Sequence, residues 1–444
     1  MKFAILLVAL ASVLPLSGWL RANPQHKSKI WTLFGFLPFV IPAVPHLNIA
    51  IISWADWPGF VKGAEISALD LFALAIYISL PRSQNTLPFR LSMGLYFFAV
   101  LLSASQASVP FAAFLYVWQL ARVFLIYAVV TRGCADTKVV MAVLTGMVIG
   151  LGGEALMVII QRFGFGEIQA SGTFVHQNTL GLASHFVVFP FFSLLLTSQT
   201  GWQCYVAPIA GCIVAALTGS RATIGLAAVG YFSLFAFSAL RRWTMRKLRI
   251  AAAGLVVFIV LAPLSIETLE KRFSTEPTIE YDERAAFESA ANMMLSDFPL
   301  GVGANNYIIV ANAQGYLQRA GVAPTSRSRG ANVHNAYLLS FAETGYIGGL
   351  TFMLMFFQPM LVAFRVGWRH RRDPKWDLLL GFGMSLLIVA VHNAFEWIFV
   401  TYYIQYIFAI SVGAIAGLAQ QLGYRSRQKF NHGPTNIGAQ TQTQ

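Results

Sequence analysis

The sequence predicts an all-α polytopic membrane protein: a bundle of about 12–13 transmembrane helices with one long, partly helical loop on the outer side. Three observations predict it. Hydrophobic residues make up 57% of the 444 and charged residues only 11%, with a mean hydropathy of +0.62, whereas a soluble domain carries about 25% charged residues. The apolar residues gather into windows of about 20, the length at which a helix crosses a bilayer. The basic residues collect in alternate connections between those windows. An ordinary soluble enzyme is excluded, and the net charge of +13 reads as a membrane-orienting bias rather than a nucleic-acid surface.

In chain order the windows fall near residues 3–20, 30–51, 64–81, 91–106, 109–131, 139–160, 179–197, 203–219, 222–240, 250–265, 336–364, 378–395 and 400–420. Six connections hold 20 of the 31 basic residues: Arg21, Lys27 and Lys29; Arg82 and Arg90; Arg132 and Lys138; Arg241, Arg242, Arg246, Lys247 and Arg249; Arg365, Arg369, Arg371, Arg372 and Lys375; Arg425, Arg427 and Lys429. The positive-inside rule puts these connections and the C-terminus in the cytoplasm, and the polar excursion 267–332 outside. Thirteen windows then place the N-terminus outside. A different pairing of the first two would reduce the count to twelve. Lys2 precedes the first window and three basic residues follow it, which favours a retained span over a cleaved signal peptide.

One transmembrane domain, residues 1–430, therefore accounts for nearly the whole chain, with the loop 267–335 inserted in it. The tail 431–444, NHGPTNIGAQTQTQ, is polar enough to be read as a disordered cytoplasmic extension. No repeat of 20–50 residues points to a solenoid. Cys134, Cys204 and Cys212 lie in a short loop or in apolar segments, away from the polar excursion, so neither a disulfide framework nor a cysteine zinc site is implied.

Polar motifs converge on the outer face. They are SGTFVHQNTLG (171–181), TGSRATIG (218–225), the run YDERAAFESAANMMLSDFPLGVGANNY (281–307) and VHNAYL (333–338). Irregular polar backbone of this kind lies in water or lines a wet cavity, because hydrocarbon cannot satisfy it. Arg221 stands at the mouth of a span, and Arg284 lies in a predicted amphipathic helix whose apolar positions are Phe287, Ala291, Met294 and Phe298. Either guanidinium suits a phosphate bidentately; the structural alternatives are snorkelling for Arg221 and an i, i+4 pair with Glu288 for Arg284. His334, beside Asn335 at the start of a span, suits general-base work on a hydroxyl, although a polar helix end is the commoner role. Glu343 is the rival base, but it faces the opposite side of a continuous helix and lies deeper. Arg122, Asp70, Glu154 and His185 sit within apolar windows, where a buried pair and a wet cavity are equally apt. His392 and Glu396 are expected to share a helix face near the outer end of their span, as a packing pair or as the border of a site. The glycines of GVGANNY, with Asn305, read as a turn sooner than as a phosphate nest.

At these residues the sequence resembles the O-antigen ligase and polysaccharide polymerase superfamily of bacterial inner-membrane proteins. The resemblance rests on GTFVHQN, on SRAT with Arg221, on the run from Arg284 through DFPLGVGANNY, and on HNAYL followed by ETGYIGGL, over residues 165–365. It implies a membrane-embedded glycosyltransferase that moves a glycan from an undecaprenyl diphosphate carrier to an acceptor sugar hydroxyl, with its site on the periplasmic side of the inner membrane. A ligase would use the lipid A core as acceptor, and an O-antigen or exopolysaccharide polymerase would use another lipid-linked glycan. A flippase or transporter of lipid-linked oligosaccharide is the reading from another class. His334 matches the family's base, and Arg221 and Arg284 match its diphosphate-binding arginines. His176, Asn178, Asn335, Asn305, His392 and Glu396 are candidates for a supporting or acceptor role; no metal and no cofactor are implied. Inversion at the anomeric carbon follows as an expectation. The single long outer loop favours the ligase over polymerases with two.

Overall fold

In the computed structural model, residues 2–81, 85–197, 201–275 and 279–425 are described. The predicted tail 431–444 lies outside them, as do Arg82, Arg427 and Lys429. Helices α1 (Lys2–Ala11) and α2 (Val13–Ala22) form one apolar stretch, followed by α3 (Lys27–Val40). A two-stranded antiparallel hairpin comes next, β1 (Asn48–Ser53) and β2 (Gly63–Ser67), and then α4 (Ala68–Ser79), α5 (Arg90–Ser103), α6 (Pro110–Gly133) and α7 (Thr137–Ile159). A single π turn extends α7 to Gly164. The second half holds α8 (Gln177–Leu196), α9 (Gln203–Leu217), α10 (Arg221–Arg241), α11 (Met245–Thr275), α12 (Ile279–Asp297), the short α13 (Tyr307–Ala313), α14 (Tyr316–Arg319) and α15 (Ser326–Arg329), then α16 (Ala336–Arg369), α17 (Lys375–His392) and α18 (Tyr402–Gln421).

Among the described residues nine helices are long and apolar enough to cross a membrane, and α4, α5 and α9 are shorter apolar helices. With α3, every predicted window holds a helix, and the fold is an all-α polytopic membrane protein. The apolar windows of α8 and α18 are 100% and 94% buried and form the centre, whereas that of α11 is 0% buried and lies at the margin. A helix apolar all round must face either protein or lipid, and these helices show the two outcomes. Small residues let the flanking helices close up: α3 packs on α7 with Gly35 against the Val143 backbone and Gly146 against the Thr32 carbonyl.

Two expectations are corrected. The window 30–51 is not one helix, because Pro42 and Pro45 end α3 and the β-branched run Ile49, Ile51 and Ile52 enters the hairpin. This hairpin is tied to the bundle. Asn305 ties the Val61 backbone to the Ala112 carbonyl near the start of α6, while Ser67 caps α4 through Asp70, and Asp70 pairs at 2.7 Å with Arg122 midway along α6. The hairpin therefore leads into α4 and is fastened against α6, and Arg122 and Asp70 form a buried ion pair. The second correction concerns the excursion 267–335: α11 continues as helix to Thr275, so the predicted loop begins with the helical extension of a span. The amphipathic helix is present as α12, with Phe287, Ala291 and Met294 buried and the helix packed on α16.

The two ends of the bundle differ in charge. At one end Arg241 donates to the Arg371 carbonyl at 2.6 Å, Arg246 to the Leu195 carbonyl at 2.8 Å, Arg425 to the Pro88 carbonyl at 2.9 Å, and Lys27 pairs with Asp136 at 2.8 Å. The first turns of α8, α10, α16 and α18 lie at the other end, and there the polar motifs meet.

Candidate active site at the mouth of the bundle

A broken helix builds the floor of this mouth. Gly345 has φ +68° and ψ −173° inside α16, so the carbonyls of Ala342 and Glu343 lose their helical donors. The turn of GVGANNY replaces them: Val302 N–H donates to the Ala342 carbonyl at 3.0 Å and Gly303 N–H to that of Glu343 at 2.8 Å, while Tyr346 N–H reaches the Pro299 carbonyl at 3.0 Å. Glu343 accepts the Tyr307 N–H on its side chain at 3.1 Å and is buried. That carboxylate anchors the turn, and the glycines bring backbone against backbone, since a Cβ on Gly301 or Gly345 would strike the opposite strand. Both Asn305 and Asn306 are consumed in the same fastening: Asn305 bonds to Val61 and Ala112, and Asn306 accepts from Val109 N–H at 3.0 Å. Asn305 thus holds the loop to the hairpin and α6.

His334 stands just before the start of α16, with Asn335 beside it. The Asn335 side chain caps α16 by accepting the N–H groups of Tyr337 and Leu338, each at 3.1 Å, and so fixes where the His334 backbone stands. His334 Nδ1 is 3.4 Å from Oε2 of Glu396. The other oxygen, Oε1, takes a hydrogen bond from Nδ2 of Asn178 and lies 3.7 Å from the Arg284 guanidinium. One carboxylate thus gathers residues from α8, α12, the approach to α16 and the turn after α17. Its side chain is 4% exposed, whereas those of Arg284 and His334 are 31% and 30% exposed and line the open side. Burial pushes the Glu396 carboxyl up, but the His334 hydrogen bond and the charges of His334, Arg284 and His392 outweigh it and hold the group below its ordinary value. Glu396 is an anion here. An ionised carboxylate only accepts, so Nδ1 of His334 is the donor in this contact and Nε2 is the ring nitrogen left outside it.

Glu396 is the residue that sequence reasoning undervalued. Its expected helix pairing with His392 does not exist, because α17 ends at His392 and residues 393–395 form a turn. That turn is held from outside: Ala336 N–H is 2.8 Å from the Asn393 carbonyl and 3.1 Å from that of Glu396. A signal was present in the repeated tetrapeptide VHNA, at 333–336 and at 391–394, for the two copies meet through these bonds. His392 itself is buried below Glu396, its ring centroid 5.4 Å from that of His185. Both ring nitrogens of His392, Nε2 of His185 and both side-chain polar atoms of Asn393 have no partner among the described residues.

The remaining residues stand around this centre. His176 caps α8, its Nδ1 accepting Asn178 N–H at 3.2 Å, and so orients the asparagine toward Glu396. Arg221 is the first residue of α10, whose cap Ser220 accepts from Thr223 N–H at 3.3 Å. Thr223 in turn packs on Gly181 of α8, one turn from Asn178. Arg221 is half-buried at the same mouth, joined to the cluster through this helix contact. Two guanidinium groups, a basic imidazole nitrogen and a buried carboxylate on one face can hold an anionic leaving group and take a proton from a hydroxyl. No group of three or more potential metal ligands occurs among the described residues.

No curated protein matches the chain. A family model described as O-Antigen ligase matches residues 206–353, the stretch from α9 into α16 that carries Arg221, Arg284 and His334.

Proposed function

We propose that the chain is a membrane glycosyltransferase that transfers a glycan from undecaprenyl diphosphate to an acceptor sugar hydroxyl, a reading supported by the match of residues 206–353 to the O-antigen ligase family model. The observation that carries the reading is the Glu396 cluster, which sets His334 and Arg284 on one carboxylate. In the proposed step Nε2 of His334 takes the hydroxyl proton as the acceptor oxygen bonds to the anomeric carbon. The bond from that carbon to the diphosphate oxygen breaks, and its electron pair leaves with the diphosphate. Arg284 and Arg221 hold the charge that develops there, the work for which a planar guanidinium is suited. Attack opposite the leaving group inverts the anomeric centre, and the two arginines supply the charge stabilisation without a divalent ion.

The site then faces the periplasm from the inner membrane, with the basic end of the bundle in the cytoplasm. The acceptor is the lipid A core, as in a ligase; the single long outer loop supports this over polymerisation of lipid-linked glycan, which uses the same chemistry. The test is transfer by the purified protein from a synthetic lipid-linked donor, with lipid A core and a second lipid-linked glycan offered as rival acceptors and a chelator in a parallel arm. Product on the core, with inverted configuration and undiminished by the chelator, is expected. Chain growth alone would make it a polymerase, and retention of configuration would overturn the displacement. Replacing Arg221, Arg284 and His334 together is expected to abolish transfer; lipid-linked glycan that still crosses the membrane undiminished through the triple variant would favour a transporter.

A further inference from the structure

Away from the site, an apolar groove of about 310 Å³ opens between α5 and α6, with α16 and α18 behind it. Met93, Phe97, Leu120 and Phe124 line its walls. Gly94 leaves open space in the α5 wall, for a Cβ there would meet nothing within 4 Å. The groove is closed toward the catalytic end. The turn joining α5 to α6 is covered by the fastened loop, with Ala304 N–H on the Ser103 hydroxyl at 3.1 Å, Gly303 against Ala107 and Asn306 on Val109. At the basic end it reaches Arg90, the exposed first residue of α5. Arg425 bonds to the Pro88 carbonyl two residues away, so a second guanidinium borders that rim.

A groove that faces hydrocarbon and ends at two cations at the headgroup level fits one chemical class. We propose that it binds an anionic phospholipid of the leaflet at the basic end, with an acyl chain lying along Gly94 between α5 and α6 and the phosphate at Arg90. The closed upper end is what separates this occupant from the prenyl donor: a carrier whose diphosphate is held at Arg284 cannot thread its tail downward past the fastened loop. Helix α5 has only 14 residues, so the bound chain also fills the gap that a short helix leaves beside its neighbours.

The test uses the full-length protein, delipidated in a mild detergent, with native mass spectrometry reading one bound lipid per chain. Dioleoylphosphatidylglycerol, dioleoylphosphatidylcholine and undecaprenyl phosphate are offered singly and in pairs. Phosphatidylglycerol is expected to be retained at least tenfold better than phosphatidylcholine. Arg90→Ala should remove that preference, and Gly94→Leu should remove binding of both. Ala121→Leu, on the α6 side of the same groove, repeats the blocking test should Gly94→Leu fail to elute as a folded monodisperse species. Glycan transfer should survive in all three variants. Equal retention of the two phospholipids by the unaltered protein, unchanged binding in both blocked variants, or displacement of phosphatidylglycerol by equimolar undecaprenyl phosphate would each overturn the proposal.

Discussion

Glu396 decides how His334 and Arg284 stand, and that dependence is measurable. Glu396→Gln keeps the shape but removes the charge that fixes the Nδ1 proton of His334, so kcat should fall on the order of 10²-fold with a smaller change in the donor KM. The loss should be non-additive: adding Glu396→Gln to His334→Ala should cost little beyond His334→Ala alone, since the carboxylate acts through the imidazole. Independent, multiplying losses would show that Glu396 does not act through His334. Arg284 should not tolerate lysine. A compact ammonium cannot span a carboxylate and a phosphate as a fork can, so Arg284→Lys should lose about 10²–10³-fold in kcat, and recovery to within tenfold would remove Arg284 from the diphosphate. Stability should follow the same carboxylate. Its folded pKa is depressed, so its contribution is complete above the ordinary glutamate value of about 4.3 and is lost as pH falls through the lower folded value. In melts, the difference between the unaltered protein and Glu396→Gln should therefore shrink as the pH falls below about 4.

At the scale of elements, the site depends on a helix that stops and resumes. The break at Gly345 frees two carbonyls for the GVGANNY turn, and both its positive φ and the approach of Leu300 exclude a side chain. Gly345→Ala is expected to destabilise the protein by about 1–3 kcal/mol from backbone strain alone, with more from the clash with the Leu300 backbone. A melting temperature unchanged in detergent would show that the turn is not held as described. This dependence explains what sequence could and could not reveal. His334 and Arg284 were legible because polar residues beside apolar windows have few structural reasons to be there, and the α12 periodicity was plain. Glu396 was misread because the spacing from His392 fits a continuous helix, and the turn that ends α17 is imposed by the Ala336 N–H from another part of the chain. Hydropathy averaged over 30–51 likewise hid three prolines and the start of a hairpin. The hairpin is held in place by Asn305 at Val61 and by Arg122 at Asn48 and Glu65, both far off in sequence.

The whole molecule is polar from end to end, and its function depends on which way it points. Basic residues in alternate connections were enough to predict that the two ends differ, and the bonds of Arg241, Arg246 and Arg425 do collect at one end while the Glu396 cluster lies at the other. If that basic end faces the cytoplasm, a cysteine at exposed Gln318 of α14 should react with a membrane-impermeant maleimide on sealed right-side-out vesicles, and a cysteine at exposed Arg372 only after the vesicles are opened. The background should be low, because Cys134 and Cys204 are buried and Cys212 is partly so. Helix α1 packs beside β1, at the same end as the site, so in that orientation a reporter joined between α2 and α3 should score as cytoplasmic. Labelling of Arg372→Cys in sealed vesicles would turn the site toward the cytoplasm and remove a periplasmic acceptor. An extracytoplasmic score for the reporter alone would leave the site where it is and reverse only the first span.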